Sequence, residues 1–175
     1  MKINDHIFGR RDFSKQLIGS LGAIAIGTPV FSRYLLNDFA KNNSKKLGIA
    51  LMGLGNYSTN QLAPAIEKAK FCELKGVVTG SPSKAKKWKS KYNLSKKNIY
   101  NYENFDSIIS NSEIDIVYVV LPNSMHKEFT IRAAKAGKHV ICEKPIALNS
   151  QDAQEMIDAV SAAGKKLFIG YRLHY

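Results

Sequence analysis

Cysteine is scarce: the chain of 175 residues has two, Cys72 and Cys142. Each lies in an apolar, strand-like run, and neither stands at metal-ligand spacing from another Cys or His. A cysteine zinc site is therefore disfavoured, and whether the two cysteines pair is not legible from the sequence. Long hydrophobic runs are also missing. The longest uncharged stretch near the N-terminus, ending about Val30, is short for a membrane span. Acidic residues are few, 14 against 26 basic ones, which leaves a formal charge of +12. Such a balance suggests nucleic acid until its positions are read. Lys84, Lys86, Lys87, Lys89, Lys91, Lys96 and Lys97 form one acid-free patch, and Trp88 and Tyr92 are its only aromatics. Without interleaved aromatics or arginine to stack on bases, the patch reads as the solvated face of a helix, and no nucleic-acid partner is expected.

What is present is apolar material for one ordinary domain, 45% of the residues. Before it stands GRRDFSKQLIGSLGAIAIGTPV, Gly9 to Val30. Paired arginines, Arg10 and Arg11, precede a mildly apolar, glycine-rich run, the layout of a bacterial twin-arginine signal. Gly9 and Ser14 depart from the usual pattern, which has Ser or Thr before the arginines and Leu after the Phe. A buried N-terminal helix is opposed by Gly19, Gly22, Gly27 and Pro29. Residues 1–30 are thus expected to be an export signal read by the twin-arginine machinery and directing the protein to the periplasm. An uncleaved signal acting as a membrane anchor is the alternative. Residues 31–45, polar and ending in KNNSK, read as an arm or linker.

From Lys46 onward, strands and helices alternate. Strands are expected at 47–52, 74–78, 99–100, 114–121, 139–142 and 167–170, and helices at 61–70, 83–92, 105–109, 126–136 and 150–163. Gly137 and Gly164 close the last two. The 114–121 run, IDIVYVVL, is the most hydrophobic and should be central. About six strands with helical crossovers predict an α/β fold, a doubly wound parallel sheet of the Rossmann kind over 46–175.

Two local patterns carry chemistry. Gly53-Leu54-Gly55-Asn56-Tyr57-Ser58 follows the first strand and opens a helix. There the first glycine can make the turn and the second can let the backbone approach a diphosphate at a helix N-terminus. Ser58 stands where the motif has a third Gly, and a small residue there still permits close helix packing. The second strand ends in Val78-Thr79-Gly80-Ser81-Pro82-Ser83-Lys84, with no acid to hold a ribose 2′-hydroxyl. A hydroxyl at Thr79 and a cation at Lys84 instead suit a 2′-phosphate, so the expected cofactor is NADP.

With GLGNY at 53–57, VTG with Lys84 after the second strand, LPNSMH at 121–126, AGKHVICEKP at 136–145 and GYRLHY at 170–175, the sequence resembles the glucose-fructose oxidoreductase, inositol dehydrogenase and MocA-type family. The last motif and the export signal point to the glucose-fructose oxidoreductase branch. The resemblance implies hydride transfer between a sugar or polyol and a nicotinamide, with Lys144 as the catalytic residue. It implies cofactor contacts from Gly53, Leu54, Gly55, Asn56, Tyr57, Thr79, Gly80, Lys84, Leu121, Pro122, Asn123, His126, Glu143, Lys144 and Arg172. It also implies a second α+β domain that this chain does not hold, a homo-oligomer when full length, and no metal site. An exported NAD-dependent glycosidase of the same family and a nucleotide-binding module without turnover are the alternatives. On this reading the 175-residue chain alone would bind nucleotide without turning over.

Overall fold

The computed structural model describes residues 45–171. The expected signal, nearly all of the arm, and Arg172 with the rest of GYRLHY after Tyr171 lie outside the described residues. Each hydrophobic run becomes a strand: β1 Leu47–Met52, β2 Cys72–Val78, β3 Ile99–Tyr100, β4 Ile116–Val119, β5 His139–Cys142 and β6 Leu167–Ile169. They form one sheet in the order β3-β2-β1-β4-β5-β6, and every neighbouring pair is parallel. The order reverses between β1 and β4, which opens a crevice at the carboxyl ends of those two strands.

Parallel neighbours need crossovers, and helices supply most of them. The first helical stretch runs over 56–68: its middle, Ser58–Leu62, is a π turn and its end, Ala63–Lys68, is α1. It starts five residues earlier than periodicity indicates, directly on the glycine loop. Next come α2 (Pro82–Lys91), α3 (His126–Lys135) and α4 (Ser150–Ala162). Pro82 stands in the first turn of α2, and the Ser81 side chain accepts from the Lys84 N–H. Asn149 caps α4 in the same way, its side chain accepting from the Asp152 N–H at 2.8 Å. Gly137 and Gly164, both at positive φ, follow α3 and α4 as expected. The segment Phe105–Ser110 is helical but 3₁₀. There Ser107 and Ser110 turn their hydroxyls onto the Asn104 and Ser107 carbonyls, local bonds that compete with an α ladder.

Alternation along β1 divides the core into two layers. Ile49 and Leu51 pack with Val77, Ala63, Ile66 and Trp88 on one side of the sheet. Ala50 and Met52 pack with Val117, Val119, Phe105, Phe129 and Met156 on the other. Leu51 and Met52 are completely buried, each contributing about 1.5–3 kcal/mol on that account. The basic patch resolves in the same geometry. Trp88 is buried with the Tyr92 ring 4.9 Å away, while Lys84, Lys86, Lys87, Lys89 and Lys91 are exposed, so the tryptophan serves the core and the lysines solvent.

Candidate cofactor and active site

The loop after β1 is built around a close approach of two backbones. Gly53 sits at φ +90°, and a Cβ there would lie 2.2 Å from the carbonyl oxygen of Val120. Only glycine fits both the conformation and the gap. Its N–H donates to Val78 O at 3.0 Å, and Leu54 beside it is buried in the core. Gly55 differs: a Cβ added there meets no atom within 4 Å. Nothing in the described residues requires glycine at 55, and the space above it is open. Asn56 is exposed and Tyr57 half-buried. The N–H groups of the first helical turn have no partner within the helix and carry its positive end. Ser58 is fully buried and donates its hydroxyl to Gly53 O at 2.5 Å. The residue expected merely to be small thus also ties the loop to its own helix.

At the end of β2, Thr79 is buried, with its N–H on Tyr100 O at 3.0 Å. Its Oγ1 accepts from the Ser81 N–H at 3.2 Å, which leaves the hydroxyl hydrogen able to donate. Gly80 is exposed against the Tyr102 ring, which a Cβ would approach to 3.0 Å. Lys84 is exposed in the first turn of α2. The structure therefore brings Thr79, Gly80 and Lys84 together beside the strand that carries the glycine loop.

On the other side of β1, Leu121 is half-buried, and Pro122 and Asn123 are exposed where the chain enters the 3₁₀ turn Asn123–Met125. His126, which the resemblance implies as a cofactor contact, is fully buried at the start of α3. Its Nε2 lies 2.9 Å from Leu121 O and its Nδ1 lies 2.9 Å from Pro145 O. Both partners are acceptors; a neutral ring donates to one of them and a doubly protonated ring to both. With both nitrogens committed to backbone carbonyls, His126 supports the crevice from beneath and offers no free polar atom to a ligand.

The stretch after β5 carries the charges. Glu143 is half-buried: its N–H donates to Val119 O at 3.0 Å, and its Oε1 accepts the Tyr118 hydroxyl at 2.7 Å. Its carboxylate lies against Gly170, where a Cβ would come within 2.8 Å of Oε1. Lys144 is exposed, and the bond to Pro145 is cis. Burial, reinforced by the Glu143 carboxylate and by Tyr57, pushes the Tyr118 phenol above its ordinary range. Burial also pushes the Cys142 thiol up to about 12. Among the described residues no group of three or more His, Cys, Asp or Glu could hold a metal ion.

Two residues of this site escaped the sequence reading. Tyr118 passed as one more apolar member of a central strand, although a phenol inside such a run needs a hydrogen-bond partner, and that need was the available signal. Tyr102, packed against Gly80, had no signal at all.

A parallel sheet in this order, with a glycine loop entering a helix at the switch point, defines a dinucleotide-binding domain of the oxidoreductase kind. The chain belongs to the Gfo/Idh/MocA oxidoreductase family with an NAD-binding Rossmann fold, which it matches over residues 47–171. It is 30% identical over 125 residues to D-xylose 1-dehydrogenase [NADP(+)] of Haloarcula marismortui, covering 71% of this chain and 34% of that protein. It is 29% identical over 109 residues to scyllo-inositol 2-dehydrogenase (NADP(+)) IolU of Bacillus subtilis, covering 62% of this chain and 32% of the relative. Among solved structures, the aldose-aldose oxidoreductase of Caulobacter crescentus superposes with a TM-score of 0.72 at 48% identity, over 73% of this chain and 38% of that one. The matched part spans between about a fifth and about a third of the length of the curated relatives.

Proposed function

We propose that this chain is the NADP-binding part of an exported oxidoreductase that acts on a sugar or polyol, in the branch of the family near glucose-fructose oxidoreductase. The observation that carries the reading is the position of Lys144. It stands exposed two residues beyond β5, at the same carboxyl edge of the parallel sheet as the glycine loop after β1, whose second glycine faces open space. The 48% identity to an aldose-aldose oxidoreductase supports the substrate class and the branch.

The residues present fit a dinucleotide. Gly55 leaves room for a diphosphate beside the N–H groups of the first helical turn, and those groups favour negative charge. Thr79, with a hydrogen to donate, and the Lys84 ammonium would hold a 2′-phosphate, and no carboxylate follows β2 to compete for a 2′-hydroxyl. On the family resemblance, Leu121, Pro122, Asn123 and Arg172 would contact the nicotinamide side, while His126, implied with them, faces backbone carbonyls with both ring nitrogens. When bound, the nicotinamide supplies the hydride acceptor. Lys144 hydrogen-bonds the sugar hydroxyl being oxidised and takes or gives its proton. Glu143 commits one oxygen to the Tyr118 hydroxyl, which fixes the carboxylate beside Lys144. Most positioning of the sugar belongs to the second domain that the family resemblance implies. The signal over 1–30 has a physical rationale on this reading, because a protein exported after folding carries its cytoplasmic cofactor with it.

The test combines two measurements. Titration of the folded chain should show tighter binding of NADP than of NAD. In the full-length protein, Lys144→Ala should slow hydride transfer by about 100-fold or more with NADP affinity nearly unchanged, as expected for a general acid/base. Equal affinity for the two dinucleotides would remove the NADP assignment, and a normal rate in Lys144→Ala would remove the catalytic one.

A further inference from the structure

We propose that Tyr118 and His126 are positioning residues for Lys144, a two-point mount that grips the chain immediately before and immediately after it. The inference rests on the catalytic reading of Lys144. Among the described residues the Lys144 side chain makes no hydrogen bond or ion pair, so the course of its own backbone decides where the ammonium goes. That backbone is held on both sides. Before it, the Glu143 N–H donates to Val119 O at 3.0 Å, and the Glu143 side chain is fixed by the Tyr118 hydroxyl, which donates to Oε1 at 2.7 Å with Gly170 closing the back of the carboxylate. After it, His126 Nδ1 stands 2.9 Å from Pro145 O.

The two supports come from opposite layers of the protein. Tyr118 packs against the cluster of Leu51, Ala63 and Ile66, whereas His126 opens α3, the helix whose Phe129 and Ala133 belong to the other cluster. The crevice edge is therefore gripped through the sheet from both faces. Through Nε2, His126 also lies 2.9 Å from Leu121 O, so a doubly protonated ring donates to both the Leu121-Pro122-Asn123 segment and the Glu143-Lys144-Pro145 segment, and a neutral ring donates to one of them. Packing alone would be served by phenylalanine at 118. The hydroxyl has a reason to be there because it meets the Glu143 carboxylate, and bonds of that charge-assisted kind hold geometry well.

Amide side chains separate the two bonds of His126. In His126→Gln the amide reaches the place of Nε2, which keeps the Leu121 tie and releases Pro145; in His126→Asn it takes the place of Nδ1 and does the reverse. Tyr118→Phe removes one hydroxyl and keeps the ring. In the full-length protein, with D-glucose and D-xylose as probes, Tyr118→Phe and His126→Gln should each slow hydride transfer by about 10- to 100-fold, the scale of a misplacement near 1 Å. His126→Asn, which keeps the Pro145 tie, should lose less of the rate than His126→Gln, and NADP affinity should stay within about twofold in Tyr118→Phe and His126→Gln. In a Lys144→Ala background, neither Tyr118→Phe nor His126→Gln should slow the reaction further, because the residue they position is gone. Undiminished losses in that background would overturn the proposal. A full rate in Lys144→Ala alone would instead overturn the catalytic reading, and the proposal with it.

A second readout needs no turnover. After reductive ¹³C-methylation of the lysines in the 175-residue chain, the Lys144 resonance, assigned by its loss in Lys144→Arg, should shift in Tyr118→Phe and His126→Gln and hold in His126→Asn. A Lys144 signal unmoved by the first two would refute the mount even where neither sugar is a substrate.

Discussion

Replacing Gly53 and Gly55 one at a time by alanine should separate stability from binding within a single loop. At Gly53, φ is +90° and the new methyl would lie 2.2 Å from Val120 O. The conformation costs an L-residue about 1–2 kcal/mol, and relieving the clash by moving the end of β4 adds about 1–3 kcal/mol. Gly53→Ala should therefore lose roughly 2–5 kcal/mol, a large share of the 5–15 kcal/mol typical of a domain. At Gly55 the same methyl meets nothing within 4 Å, so the stability change should stay within about 0.5 kcal/mol. That methyl occupies the space assigned to the diphosphate. Losing one charge-assisted contact of about 1.5–3 kcal/mol predicts NADP binding weaker by about 10- to 100-fold. Guanidinium unfolding followed through Trp88, the single tryptophan and a buried one, reports the first quantity, and calorimetric titration with NADP the second. If Gly55→Ala proved as destabilising as Gly53→Ala, or bound NADP normally, the division of labour between the two glycines would be wrong.

Lys84→Ala should narrow the gap between NADP and NAD affinity, by up to about 1.5–3 kcal/mol if the ammonium contacts the 2′-phosphate; an unchanged ratio in parallel titrations would exclude that contact. Changing Arg10 and Arg11 together to lysine should leave the protein in the cytoplasm in a fractionation assay, and normal export of the double variant would show that 1–30 is not a twin-arginine signal. Cys142, with its thiol raised to about 12 by burial, should resist a thiol reagent at pH 8 until the protein unfolds, because the thiolate is the nucleophile. The sign follows: a raised thiol value favours the folded state's neutral form, and this contribution is present below the unfolded value near 8.5 and lost as pH rises toward about 12. Prompt labelling of Cys142 in the native chain would contradict its burial.

Much of this architecture is legible in the sequence because it rests on local rules. The apolar run Leu47–Met52 followed by glycines, the Ser81-Pro82 and Asn149 helix starts, and Gly137 and Gly164 as helix stops each express a backbone requirement that one or two residues satisfy. What was less legible depended on partners distant in sequence. The run 114–121 forms a strand only over Ile116–Val119; just before it, the Asp115 side chain accepts the Gly48 N–H at 2.8 Å. The early helix start at 56 reflects the buried hydroxyl of Ser58 on Gly53 O, a bond that no periodicity signals. In the site, glycine spacing and the Glu143-Lys144-Pro145 charges stand out by composition. His126 and Tyr118 become intelligible only when the fold brings Pro145 and Glu143 to them, across 19 and 25 residues of sequence.

The sheet tapers from its middle outward. β1 and β2 hold six and seven residues, β4 and β5 four each, while the two edges, β3 and β6, hold only two and three. An edge strand is where an incoming chain can add itself, rung by rung, to a sheet it did not help to build. Here such a newcomer would find only two or three residues' length of strand on either side, too little to hold register. Phe168 on β6 is exposed, which gives that edge some adhesiveness, yet the shortness of the strand limits how far contact can spread. Most of the strand length is sealed between neighbours, and this part of the chain is protected by its proportions against growth into extended β assemblies.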